Sequence, residues 1–164
     1  MTTSPLDAEA LVEMLEARAI EQLMIRYIDR VDANDPEGAA ACFAPDGLGV
    51  YWGEYRGREA IAERLRGILQ AFEATSHHLT NVAPVITGET ATSQAYVYAF
   101  HRYAADHAPM HYWGRWVDEL VKLDGQWYFA RREVVGVGTI TERDTQRERV
   151  HPGHPGRHPV QPHG

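Results

Sequence analysis

The sequence predicts an α+β domain in which helices from the first half pack on one face of a curved antiparallel sheet from the second. Three observations carry this. Apolar residues recur at three- and four-residue spacing from Leu11 to Val31, and again from Ile61 to Phe72. From residue 76 onward the chain is rich in Val, Ile, Tyr, Trp and Thr. Gly88-Glu89 and Asp124-Gly125 break that region where hairpin turns belong.

The first helix spans 7–33, with Leu11, Met14, Leu15, Ile20, Leu23, Met24, Tyr27, Ile28 and Val31 as its apolar positions. Asp35-Pro36-Glu37 is a helix start, a cap followed by proline at the first helical position. It opens a short helix over 36–43, stopped by Ala44-Pro45-Asp46-Gly47. Leu48–Trp52 reads as a strand. Gly57 precedes a third helix, about 58–72, with Ile61, Leu65, Ile68 and Leu69 on its apolar side. Four strands follow, 76–87, 91–104, 110–123 and 126–139. Pro84 cannot donate to a ladder, so the first of them is expected to bend or bulge there. Residues 1–142 make one domain. Residues 143–164, dense in Pro, Gly and His, hold no apolar periodicity and are expected to form a disordered tail. Its four histidines, His151, His154, His158 and His163, imply no compact ligand geometry.

At 164 residues the chain is long enough for a real core, and its net charge of −7 argues against nucleic-acid binding. The single cysteine, Cys42, permits no internal disulfide, which fits a cytoplasmic protein. The first residues lack the basic and apolar regions of a signal peptide, and no apolar run approaches the ~20 residues that span a bilayer. Lys122 is the only lysine and sits beside a turn, where a solvated side chain and no Schiff-base role are expected.

Two segments carry chemistry: Tyr27-Ile-Asp-Arg-Val-Asp32 at the end of the long helix and Ser76-His77-His78-Leu79-Thr80-Asn81 at the start of a strand. A carboxylate beside an imidazole accepts its Nδ1 proton, fixes the tautomer and stabilises the imidazolium, which makes a general base for neutral pH. His77 and His78 must face opposite sides of a strand, so only one can enter a pocket. Tyr27 sits at core spacing, as a packed ring or as a pocket hydroxyl. Arg131 shares the face of Trp127 and Phe129, with Arg132 pointing away. It either pairs with Glu133 or meets a substrate anion. The many aromatics, among them Tyr51, Trp52, Tyr55, Tyr98 and Trp113, read as core and as the wall of a pocket for a flat apolar substrate. His101, His107 and His111 match no closed metal site together with His77, so neither metal nor other cofactor is expected.

Several motifs occur in a telling order: Val31-Asp32, Asp35 to Phe43, Tyr55-Arg56-Gly57-Arg58-Glu59-Ala60-Ile61, His77-x-x-x-Asn81, Gly114-Arg115-Trp116-x-Asp118-Glu119 and Asp124-Gly125-Gln126-Trp127-x-Phe129. In that order they resemble the SnoaL-like branch of the nuclear-transport-factor-like superfamily over about residues 8–140. The resemblance implies a cone-shaped α+β barrel with a pocket between sheet and helices. Within the superfamily the chain looks most like the dehydratase-type members: scytalone dehydratase, bile acid 7α-dehydratase and hexachlorocyclohexane dehydrochlorinase. By their motifs, Asp32 and His77 would form the catalytic dyad, favoured over His78, with Tyr27 and Arg131 as further catalytic groups. Asn81 would lie near the substrate. A second pocket histidine in scytalone dehydratase maps best onto Trp113, with His111 two residues away on the same face.

The function this implies is a cofactor-independent lyase or isomerase that removes a proton from an apolar cyclic substrate, of steroid, polyketide or aromatic type, and eliminates water or a similar group. The same groups would serve a polyketide cyclase. A noncatalytic ligand-binding protein, or the small structural subunit of a ring-hydroxylating dioxygenase, is the alternative from another class; neither needs an Asp–His pair. Assembly as a homodimer or homotrimer is expected.

Overall fold

The computed structural model describes residues 8–141 and the backbone of 149–150. The expected disordered tail, 143–164, lies otherwise outside the described residues. The elements are α1 (Ala8–Asp32), α2 (Pro36–Ala40), β1 (Phe43–Val50), β2 (Glu54–Arg56), α3 (Arg58–Leu69), β3 (Phe72–Thr87), β4 (Thr90–Tyr103), β5 (Pro109–Leu123), β6 (Gln126–Thr141) and β7 (Arg149–Val150). Asp35 caps α2 as its sequence demands, accepting a hydrogen bond from the Gly38 N–H at 2.8 Å, with Pro36 at the first helical position.

The strands form one unclosed sheet in the order β2-β1-β6-β5-β4-β3, with β7 against β6. The meander β3–β6 is antiparallel throughout, and β1 joins it parallel to β6. β1 begins at Phe43, five residues before the expected strand, because Phe43 pairs with Phe129 ahead of an irregularity that accommodates Pro45. The early β2 hairpin was not evident in the sequence.

Core side chains come from one stripe of α1 (Ile20, Leu23, Met24, Tyr27, Val31), one of α3 (Ile61, Leu65, Leu69) and the concave face of the sheet. The first turns of α1 stand apart from this core: Leu11, Val12, Met14 and Leu15 are all exposed. Lys122 is not simply solvated either. It pairs with Glu16 at 2.5 Å, and the Trp127 indole N–H donates to the same carboxylate at 2.6 Å.

Two of the sheet's bulges decide where Asn81 and Arg131 face. In β3, Asn81 and Val82 together oppose Ala95, between the pairs Thr80↔Tyr96 and Ala83↔Gln94. Asn81 takes φ 56°, a left-handed conformation that asparagine tolerates better than most residues. The bend expected at Pro84 thus occurs just before it. In β6, Ala130 is the extra residue between the pairs Leu120↔Phe129 and Glu119↔Arg131. It reverses the alternation, so Arg132 rather than Arg131 joins Trp127 and Phe129 in the core.

Candidate active site

Asp32 is the last residue of α1, and His77 lies on β3, an edge strand whose outer N–H groups have no strand partner. Asp32 fills that gap. Its Oδ2 accepts the His77 backbone N–H at 2.9 Å, while Oδ1 accepts the Thr75 hydroxyl at 2.8 Å. The same Oδ1 lies 2.6 Å from His77 Nδ1. A carboxylate in that position holds the proton on Nδ1 and leaves Nε2 as the basic nitrogen. Burial pushes the Asp32 carboxyl up, but the hydrogen bonds from the His77 ring and backbone and from Thr75 prevail and hold it below its ordinary value. Asp32 is therefore an anion at neutral pH.

His77 opens onto a cavity of about 200 Å³ between α1, α3 and the sheet. Its wall is mostly apolar, from Val31, Leu65, Leu69, Phe72 and Val97 among others. Side chains with polar groups line it at four further places. Tyr27 and Tyr51 hydroxyls share a hydrogen bond of 2.9 Å, so one of the two protons remains free to be donated elsewhere. Burial raises both phenols, keeping them neutral. His101 stands edge-on to His77, ring centroids 5.2 Å apart, with Nδ1 buried and unpartnered. Tyr112 is the fourth.

The sequence-predicted residues fall into two groups. Asp32, His77, Tyr27, Tyr51 and Trp52 converge on or beside the cavity, with Trp52 at its rim, 65% exposed and at φ 57°. The others do not. Arg131 lies on the opposite face and pairs with Glu133 at 2.7 Å. Tyr98, His111 and Trp113 form a stacked group on the convex face, with the Tyr98 hydroxyl 2.8 Å from His111 Nδ1. Asn81 is exposed at its bulge, and Tyr55 packs under the Arg64 guanidinium outside the cavity. His78 faces out, 3.1 Å from the Ser76 hydroxyl. The second pocket histidine is His101, one strand earlier than the position expected near Trp113. Strict alternation on β4 gives it away, because Ala91, Ser93, Ala95, Val97, Ala99 and His101 are all buried. Among the described residues no cluster of His, Cys, Asp and Glu could hold a metal ion, and no helix is long and apolar enough to cross a membrane.

Burial, reinforced by the charge of His77 and opposed by Asp32, lowers His101 from 6.5 to about 4. The unfolded chain therefore binds a proton at His101 below about 6.5, while the folded protein resists until about 4. Protons favour the unfolded state in that window. The stability this contributes is complete above it and lost as pH falls through it, roughly 3 kcal/mol in all. Urea unfolding at pH 7 and pH 4.5 is expected to show a smaller acid loss in His101→Gln than in the parent protein. Equal losses would mean that His101 titrates normally.

The SnoaL-like domain family matches residues 12–133. The chain belongs to the SnoaL-like family. Among solved structures, this SnoaL-like protein is similar to a Novosphingobium aromaticivorans protein that carries the name scytalone dehydratase. The two are 36% identical with a TM-score of 0.73, over 78% of this chain and 88% of that one. A Mycobacterium tuberculosis protein of unknown function is 28% identical with a TM-score of 0.67, over 75% and 77% of the two chains. A hexachlorocyclohexane dehydrochlorinase from Novosphingobium barchaimii shares the SnoaL-like fold, at 15% identity and a TM-score of 0.71 over 87% and 94% of the chains. No curated protein matches.

Proposed function

We propose that this protein is a cofactor-independent lyase or isomerase whose general base is His77 oriented by Asp32. The observation that carries the reading is the 2.6 Å contact from Asp32 to His77 Nδ1 at the wall of an apolar cavity. The similarity to a protein named scytalone dehydratase supports it. His77 Nε2 takes a proton from a carbon beside a carbonyl or similar activating group. The C–H electron pair becomes the new π bond as the β substituent leaves with its own pair, a hydroxyl taking the proton back from the His77 imidazolium and departing as water. Asp32 stabilises the imidazolium formed on His77. The Tyr27–Tyr51 pair and neutral His101 are placed to hydrogen-bond a carbonyl or leaving oxygen. Return of the proton to another carbon gives isomerisation instead.

The test is incubation in D₂O, without added cofactor, with a panel of cyclic β-hydroxy ketones, read by mass spectrometry. Elimination appears as loss of water and isomerisation as deuterium uptake at unchanged composition. A panel with neither, above the rate in buffer, would remove the enzyme reading and favour a noncatalytic binding protein.

A further inference from the structure

Tyr112 is 7% exposed, lines the cavity and has no hydrogen-bond partner for its hydroxyl. A buried donor left unpaired is costly, and native proteins rarely keep one without a use. The surrounding residues are arranged to admit this ring. Tyr112 pairs across the sheet with Ala99, and the next inward position on β5 is Gly114, which pairs with Val97. A Cβ on Gly114 would lie 2.3 Å from the Tyr112 hydroxyl oxygen and 2.6 Å from the carbon that bears it. The ring therefore lies along the strand over Gly114, directed away from Met110 and from His101 opposite it.

We propose that Tyr112 is a specificity-determining residue that donates a hydrogen bond to a second oxygen of the substrate, besides the one held by the Tyr27–Tyr51 pair and His101, and that Gly114 is glycine to let it do so. This rests on the proposed site and narrows its substrate to a compact cyclic molecule that carries two oxygens. An enclosed cavity of ~150 Å³ takes benzene, so about 200 Å³ suits one or two rings, and a larger ring system would protrude. Burial raises the phenol to about 12, which keeps it a neutral donor across the working pH range. Ser93, Arg64 and Arg132 also carry unpaired buried atoms, but none of them lines this cavity.

The test is equilibrium binding of three probes, naphthalene, 2-naphthol and 2,6-dihydroxynaphthalene, to the full chain and to its Tyr112→Phe and Gly114→Ala variants. It needs no turnover, so it can fail while the Asp32–His77 chemistry stands, and the reverse. The parent protein is expected to bind the diol about tenfold more tightly than 2-naphthol, the worth of one added neutral hydrogen bond. Both variants should lose that difference and keep their affinity for naphthalene. Tyr112→Phe should melt at or above the parent temperature, because it removes an unpaired group. Equal affinity of the parent for diol and naphthol would overturn the proposal, as would a Tyr112→Phe variant that still prefers the diol. A lowered melting temperature in Tyr112→Phe with all three probes weakened would make the hydroxyl structural instead.

Discussion

Replacing His77 with alanine is expected to reduce turnover by at least about 10²-fold, and by up to about 10⁴-fold, on any substrate found in the deuterium panel. The loss follows from geometry. The Asp32 carboxylate fixes Nδ1, and no other basic nitrogen in the cavity has such a partner: His101 is buried, unpaired and lowered to about 4. Asp32→Asn should fall between parent and His77→Ala. An amide can keep a hydrogen bond to the ring but supplies no charge to stabilise an imidazolium. The fold should survive His77→Ala, because Asp32 still accepts the backbone N–H of residue 77 and the Thr75 hydroxyl. Circular dichroism and melting temperature separate lost chemistry from lost structure. Full turnover in folded His77→Ala would end the dyad assignment.

The contact between Asp32 and His77 was legible because it depends on chain landmarks, a helix end and a strand start, rather than on register. Element order was legible for the same reason: helical spacing, turn dipeptides and an Asp-Pro cap are local signals. What failed was counting faces along the strands. Counting by twos from Trp127 places Arg131 inside, but the extra residue Ala130 gives that place to Arg132. Counting from His77 places Asn81 inside, but Asn81 and Val82 share one partner and Asn81 turns out. On β4 the error was one of expectation. Large aromatics were assigned to the pocket, whereas the inward residues are Ala95, Val97 and Ala99, and Tyr96, Tyr98 and Phe100 lie on the other face. On β4 the cavity is bounded by small side chains up to His101, and large sheet side chains that line it, such as Tyr112 and Trp116, come from β5. The aromatics cover one another on the convex side, as Tyr98 does with His111 and Trp113. His101, weighed in the sequence only as a metal ligand, carries no motif of its own, and only the alternation along β4 points it into the cavity.

Arg132→Met is expected to be the most damaging single substitution for stability. Arg132 and Asp118 have fully buried side chains joined by two hydrogen bonds, 2.8 Å from Nε and 2.7 Å from Nη2. The guanidinium carbon also sits 3.7 Å from the Phe129 ring centroid, 4.2 Å from that of Trp116 and 4.5 Å from that of Tyr27. Methionine fills much of the space but leaves the Asp118 carboxylate in the core without a counter-charge. Breaking one side of such a pair costs about 3–5 kcal/mol, on the order of 10 °C in Tm for a domain of this size. The double variant Asp118→Leu/Arg132→Met should recover a large part of that loss, because the cost of burying both charges disappears with their attraction. A single variant as stable as the parent, or a double variant worse than the single, would show that the aromatic contacts rather than the ion pair hold this part of the core. Tyr27 reports on the site in the same experiment. Its ring rests on the guanidinium and its hydroxyl bonds Tyr51, so a softened Arg132 position should weaken turnover even at temperatures where the variant remains folded.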